Sequence, residues 1–199
     1  MNKIVKYYHN NNFILLISFY FLLILGFFFG LDPNSGAYSD YQVHKRISQE
    51  FSENFFFEFL NYDQESTRHS PVLLIIFSFF EKLNFNDYLI RIVSLHFCLL
   101  LPLFFYEIIK FKFKTLEREK LILLSCLIFI SPTFISLSIW PDSRIYGVIF
   151  FALSILFYLK FEQDRKFSNA IKCTIFYTIS AYFSLNFSLF AIFFVLKFF

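Results

Sequence analysis

Nineteen consecutive residues, 13–31, carry no charge. A helix needs about 20 apolar residues to cross a bilayer, so this run is a span in itself. Comparable apolar stretches recur along the chain, and 57% of its 199 residues are hydrophobic, with a mean hydropathy of +0.58. A soluble domain of this size rarely reaches such values. The sequence therefore implies an all-α polytopic membrane protein. About five transmembrane helices are expected, with juxtamembrane helices in the first outer loop.

Charge placement orients the spans. Residues 1–12 hold Lys3 and Lys6 and no acid. Residues 32–70 hold seven acids against three bases, whereas 107–120 hold five bases against three acids, and 160–172 four against two. Short loops rich in Lys and Arg stay cytoplasmic. The N-terminus and the loops at 110–120 and 160–172 are thus expected inside, and 32–70 outside, in a multi-pass protein of the plasma (inner) membrane. Spans are expected at 13–31, 88–109, 121–139 (kinked at Pro132), 145–159 and 171–199. The last is interrupted at Ser184–Asn186, so it reads equally as one span or two half-helices. The thirteen-residue apolar piece 71–83 is short for a span and suits an interfacial or re-entrant helix within the outer loop 32–87. An odd number of crossings must separate the acidic and basic loops, and this assignment supplies one. Ser35 and Ala37 also fit a signal-cleavage site, but the run before them exceeds the usual 7–15-residue signal core.

Cys98, Cys126 and Cys173 lie in apolar segments with no CxxC pair, which reads as core packing, not a disulfide framework or metal site. The four histidines show no metal-ligand spacing. Nothing points to nucleic acid.

Three polar elements stand out. In Gly36–Glu50, Ser39 followed by Gln42 forms a capping-box pattern, so a helix is expected to start with Ser39 as its cap and Asp40 at its first position. Val43, Ile47 and Phe51 then form an apolar stripe suited to a membrane surface, and the phenylalanines of Phe55–Leu60 could anchor its far end. The positive helix end would keep Asp40 ionised. In the second element, Arg68 to Pro71, Pro71 is expected at the first turn of the next helix with Ser70 as cap. Arg68 and His69 would stand beside an anion-binding helix start. In the third, Trp140 to Tyr146, the two aromatics suit the membrane interface. Asp142 or Ser143 caps the next span, and Arg144 can reach a phosphate headgroup. All three elements fall on the outer side of the expected topology. Arg91 and His96 lie near the start of a span, where they could make polar contacts inside the bundle or, for Arg91, snorkel to the surface.

This order of parts resembles the GT-C class of membrane glycosyltransferases, nearest to the protein O-mannosyltransferase and aminoarabinose transferase-like group. The family's leading aspartate of the first outer loop matches Asp40. Its His-Pro-Pro element matches His69, Ser70 and Pro71, its SP element Ser131 and Pro132, and its R-x-Y element Arg144 and Tyr146. The resemblance implies an inverting transfer of a sugar from a polyprenyl-phosphate donor at the outer face, with membrane lipid as a further partner. Asp40 would be the catalytic base. Arg68, His69 and Arg144 would bind the donor phosphate, and Tyr146 and Asp142 would support them. A divalent cation shared by Asp40 and Asp142 is conceivable, without a clear metal motif. The chain departs from the family in having Tyr41 where relatives carry a second acid. It also covers only the front half of such an enzyme, as an N-terminal fragment would. The rival reading is a lipid-linked sugar transporter or a non-catalytic membrane assembly subunit. Transporters gather polar groups near the bilayer midplane, whereas these residues gather near one surface.

Overall fold

The computed structural model describes residues 17–29, 36–65 and 70–198. Among these residues every regular element is helical and no strand occurs. In chain order the helices are α1 (Ile17–Phe28), α2 (Gly36–Glu53), α3 (Phe55–Leu60), α4 (Val72–Lys82), α5 (Asp87–Cys98), α6 (Leu100–Lys112), α7 (Arg118–Cys126), α8 (Pro132–Ile139), α9 (Ser143–Asp164), α10 (Phe167–Phe183) and α11 (Ala191–Phe198). Short 3-10 turns at Tyr62–Glu65, Leu127–Ile130 and Leu185–Phe190 join some of them.

Among the described residues two helices are long and apolar enough to cross a membrane: α5–α6, continuous over Asp87–Lys112, and α9. Arg118–Ile130 with Pro132–Ile139 qualifies as a third if the two arms are one span, although they bend by 64°. The bend has a local cause. Ser131 turns to extended backbone, its hydroxyl accepts from Phe134 N, and Pro132 opens α8 without a backbone N–H to continue the preceding turn.

The last apolar stretch is broken. α10 ends at Phe183, and extended backbone at Ser184 separates it from the 3-10 turn and α11. The Tyr177 hydroxyl donates to the carbonyls of Phe187 (3.1 Å) and Ser188 (2.7 Å), pinning the turn back against α10. The helix also starts earlier than the expected boundary at 171, because Arg165 takes a left-handed conformation that stops α9 and Phe167 restarts the chain.

The core is aromatic. Leu23 and Phe27 of α1, Tyr41 of α2, Leu73 and Phe77 of α4, Leu95 and Cys98 of α5, and Ile145, Tyr146 and Ile149 of α9 are buried in one cluster. Each such side chain removed from water is worth about 1.5–3 kcal/mol. In a bilayer that drive is absent between apolar surfaces, and close ring packing takes over. Phe150 stacks on Phe183 with centroids 5.4 Å apart, and Phe157 on Phe176 at 5.5 Å.

α2 and α4 differ from the sequence reading in how they start and which face they bury. α2 is already helical at Gly36, so Ser39 is not a cap and Asp40 is its fifth residue. Gly36, Ala37 and Tyr38 accept helical geometry, and the Ser39–Gln42 pair lies inside the helix. Its buried side is Ala37, Tyr41, His44, Ile47, Ser48 and Phe51. Ile47 and Phe51 pack on Leu74 of α4, whereas Val43 is 44% exposed. The stripe therefore meets protein, and α3, with Phe56 and Leu60 more than three-quarters exposed, turns the most exposed large apolar side chains of this region outward. α4 has eleven residues, about 16 Å of helix. It is too short to cross a bilayer of roughly 30 Å. Ser70 does not cap it; the serine hydroxyl donates instead to the Tyr182 carbonyl at the end of α10.

Candidate functional site

The site forms where α2 meets the start of α9. Pro141 is buried and Asp142 takes extended backbone, which ends the α8 segment and lets Asp142 cap α9 by accepting from Arg144 N at 2.7 Å. The Arg144 side chain folds back over the same carboxylate: Nε lies 2.7 Å from Asp142 Oδ1 and Nη2 2.9 Å from Oδ2. This is a bidentate guanidinium–carboxylate fork, the strongest common side-chain pairing. Nη2 also donates to Asp40 Oδ2 at 2.6 Å. Arg144 thus bridges a fully buried carboxylate and a half-exposed one.

Burial pushes the Asp142 carboxyl up, but the hydrogen bonds and charge of Arg144 outweigh it, with His44 adding in the same sense. The result is a carboxyl held below its ordinary value. His44 is buried one turn after Asp40 on α2, so that helix brings both residues to the start of α9.

The fork consumes the Nε–H and both Nη2 hydrogens of Arg144. Among the described residues Nη1 has no protein partner, which leaves two N–H groups able to meet an anion. The Ser143 hydroxyl, between the two site residues in sequence, is buried without a partner among the described residues, and so is that of Ser184. Ser184 packs near Gly147, one turn further along α9. The Ser70 bond to Tyr182 brings the start of α4 to this same end of the bundle. At the opposite end, Phe111, Lys112 and Lys114 share a cleft with Leu159, Glu162 and Gln163, so the basic loops lie together and away from Arg144.

Of the residues singled out by sequence, Asp40, Asp142 and Arg144 are brought together. Arg68 and His69 lie outside the described residues. Tyr146 is not beside them. It is 8% exposed, lies between the rings of Phe97 and Phe183 with both centroids 5.4 Å away, and shares a hydrogen bond with Ser94. Tyr146 and Trp140 are both buried against protein, because neighbouring helices supply aromatic and cationic faces for them. Arg91 sits 3.7 Å over the Trp140 ring and 4.8 Å from Phe27, and its Nε donates to the Ile139 carbonyl at 3.1 Å. That clamp fixes the backbone just before Pro141, and the sequence alone did not identify it. His96 Nδ1 hydrogen-bonds the Ile92 carbonyl and Nε2 the Tyr20 hydroxyl, each at 2.7 Å.

A divalent ion shared by Asp40 and Asp142 does not fit this arrangement, since the Arg144 guanidinium stands between the two carboxylates. Elsewhere Glu50, Glu58 and Glu65 bring carboxylate oxygens within 4.8 Å of one another, and Arg46 neutralises part of that charge by pairing with Glu50 and Glu65. No protein-family model, curated protein or solved structure matches this chain.

Proposed function

We propose that the chain is a membrane glycosyltransferase of the GT-C type, or the N-terminal part of one. It would move a sugar from a polyprenyl-phosphate donor to an acceptor hydroxyl or amine at the outer membrane face. The observation that carries this reading is the Arg144 bridge between Asp40 and Asp142. A guanidinium with two N–H groups unpartnered among the described residues adjoins a half-exposed carboxylate, which pairs an anion site with a base.

In the proposed step Asp40 accepts the acceptor's proton as the acceptor atom bonds to the anomeric carbon. The bond from that carbon to the phosphate oxygen breaks, and its electron pair leaves with the phosphate. Asp142 holds Arg144 in register, and Arg144 faces the charge that develops on the leaving oxygen. Asp40, Asp142 and Arg144 together carry a net charge of −1, so a phosphate needs further positive charge. Arg68 and His69, just before Ser70, are the residues assigned to supply it.

The accompanying topology has five spans: α1 with the residues before it, α5–α6, α7–α8, α9 and α10; the segment after Ser184 folds back along α10, where Phe194 packs on Tyr177, Cys173 and Tyr158. The N-terminus and the 110–120 loop are cytoplasmic, and α2 to α4 lie at the outer face, with α3 dipping its phenylalanines into the lipid boundary. The test is direct. Membranes containing the protein are given radiolabelled polyprenyl-phosphate sugars, and label is followed into lipid, glycan and protein fractions. Transfer from at least one donor is expected, and no transfer from any of them counts against the assignment.

A further inference from the structure

A second site lies at the other end of the bundle. α1, α6 and α7 enclose a cleft of about 400 Å³ whose walls include Tyr20, Leu103, Ile122 and Phe129. The lining is apolar apart from Arg118, the Ser125 hydroxyl and the tips of two tyrosines. Ser125 already donates to the Leu121 carbonyl at 2.7 Å, so it offers nothing to a ligand as a donor. At Tyr106 and Arg118 this cleft adjoins a polar one, which adds Lys110, Lys114 and Glu107. Lys110 lies 3.4 Å from Glu107 and is largely neutralised by it. Lys114 and Arg118 make no ion pair among the described residues.

An apolar slot running along a helix and ending in uncompensated cations has the polarity of an anionic amphiphile. From Arg118 to Phe129 it follows α7 and its 3-10 turn for about 16 Å, enough for a stretch of acyl chain. Arg118 shares the polar cleft with Lys110 and Lys114, at the end of the Asp87–Lys112 helix. A soluble anion would have no use for the apolar walls. An apolar partner helix would leave the two cations unmatched.

We propose that this cleft binds one anionic phospholipid, with its phosphate on Arg118 and Lys114 and an acyl chain between α1, α6 and α7. The site is independent of the transferase reading: α7, its 3-10 turn and α8 separate Arg118 from Asp142 along the chain. Such a lipid would brace α1 against α7 and couple the protein to the charge of the leaflet on that side.

The experiment is native mass spectrometry of the full chain, released from zwitterionic detergent. It is titrated separately with a phosphatidylglycerol and a phosphatidylcholine of the same acyl chains. The expected result is one retained phosphatidylglycerol, bound about fivefold tighter than the phosphatidylcholine. Arg118→Gln removes that preference and leaves phosphatidylcholine binding unchanged. Leu103→Trp, which fills the slot from an exposed position, lowers retention of both lipids. Lys114→Gln weakens the preference without touching the apolar wall. Equal retention of the two lipids by the unaltered protein overturns the proposal. So does displacement of phosphatidylglycerol by glycerol phosphate alone, which would mark a soluble-anion site, or loss of lipid on self-association, which would mark a contact between copies.

Discussion

Arg144 Nη2 lies 2.6 Å from Asp40 Oδ2, a contact between residues 104 positions apart. It ties α2 to the start of α9, and both partners remain near half exposed. A pair that accessible contributes little to folding.

The first prediction tests that. In a double-mutant cycle with Asp40→Asn and Arg144→Gln, the coupling in unfolding free energy is expected below about 1 kcal/mol, since exposed pairs rarely exceed that. Thermal or denaturant unfolding in detergent measures it. A coupling of several kcal/mol would make the contact a structural tether.

Asp142 behaves differently, being fully buried and also the cap of α9. Asp142→Asn is expected to cost about 1–3 kcal/mol from the weakened cap and the lost charge on Arg144, discounted because Arg144 is 40% exposed. The pH dependence follows from the depressed carboxyl. Its folded-state value lies below the unfolded one, so its stabilisation is present above the ordinary carboxylate value and is lost as pH falls through the folded value. Unfolding temperatures recorded through the acid range should fall in the unaltered protein, and that component should vanish in Asp142→Asn.

Tyr146 tests the difference between a site residue and a core residue. Tyr146→Phe removes one hydrogen bond to Ser94 and is expected to cost about 1 kcal/mol, with transfer rates unchanged. A large loss of transfer with intact folding would return Tyr146 to the site.

Gly147 faces the break after α10. A Cβ there would lie 2.7 Å from Cε2 of Phe187 and 3.2 Å from Cβ of Ser184. Gly147→Ala is expected to destabilise by about 1–3 kcal/mol, because the turn pinned by Tyr177 must shift. Unfolding in detergent checks this.

What was legible in the sequence follows from which forces act locally. That α5–α6 and α9 are long apolar helices was readable because apolar composition is a local property, although α9 extends beyond the expected 145–159 at both ends, over Ser143–Asp164. So was the bend at Pro132, where a missing N–H acts at one residue. A cap at Asp142 or Ser143 was readable for the same reason, and the structure gives it to Asp142. The start of α2 was misjudged because Gly36 to Tyr38 can be helical or not, and packing of Ala37 and Tyr41 into the core decides. Tyr146 and Trp140 read as interface aromatics, because the sequence near them gives no sign of what packs on the rings. Only Phe97 and Phe183, from α5 and α10, settle it. The Arg91 clamp on Trp140 has no sequence signal beyond an arginine in an apolar helix.

The most direct measurement is the rate of sugar transfer by membranes carrying Asp40→Asn, compared at equal protein level with the unaltered chain. The substitution keeps the size of the side chain and its exposed position while removing the base. A loss of about 100-fold or more is expected, the usual contribution of a positioned general base. Transfer at the unaltered rate, with the variant folded and inserted, would contradict the role given to Asp40 and with it the proposed chemistry of the Asp40–Arg144–Asp142 cluster.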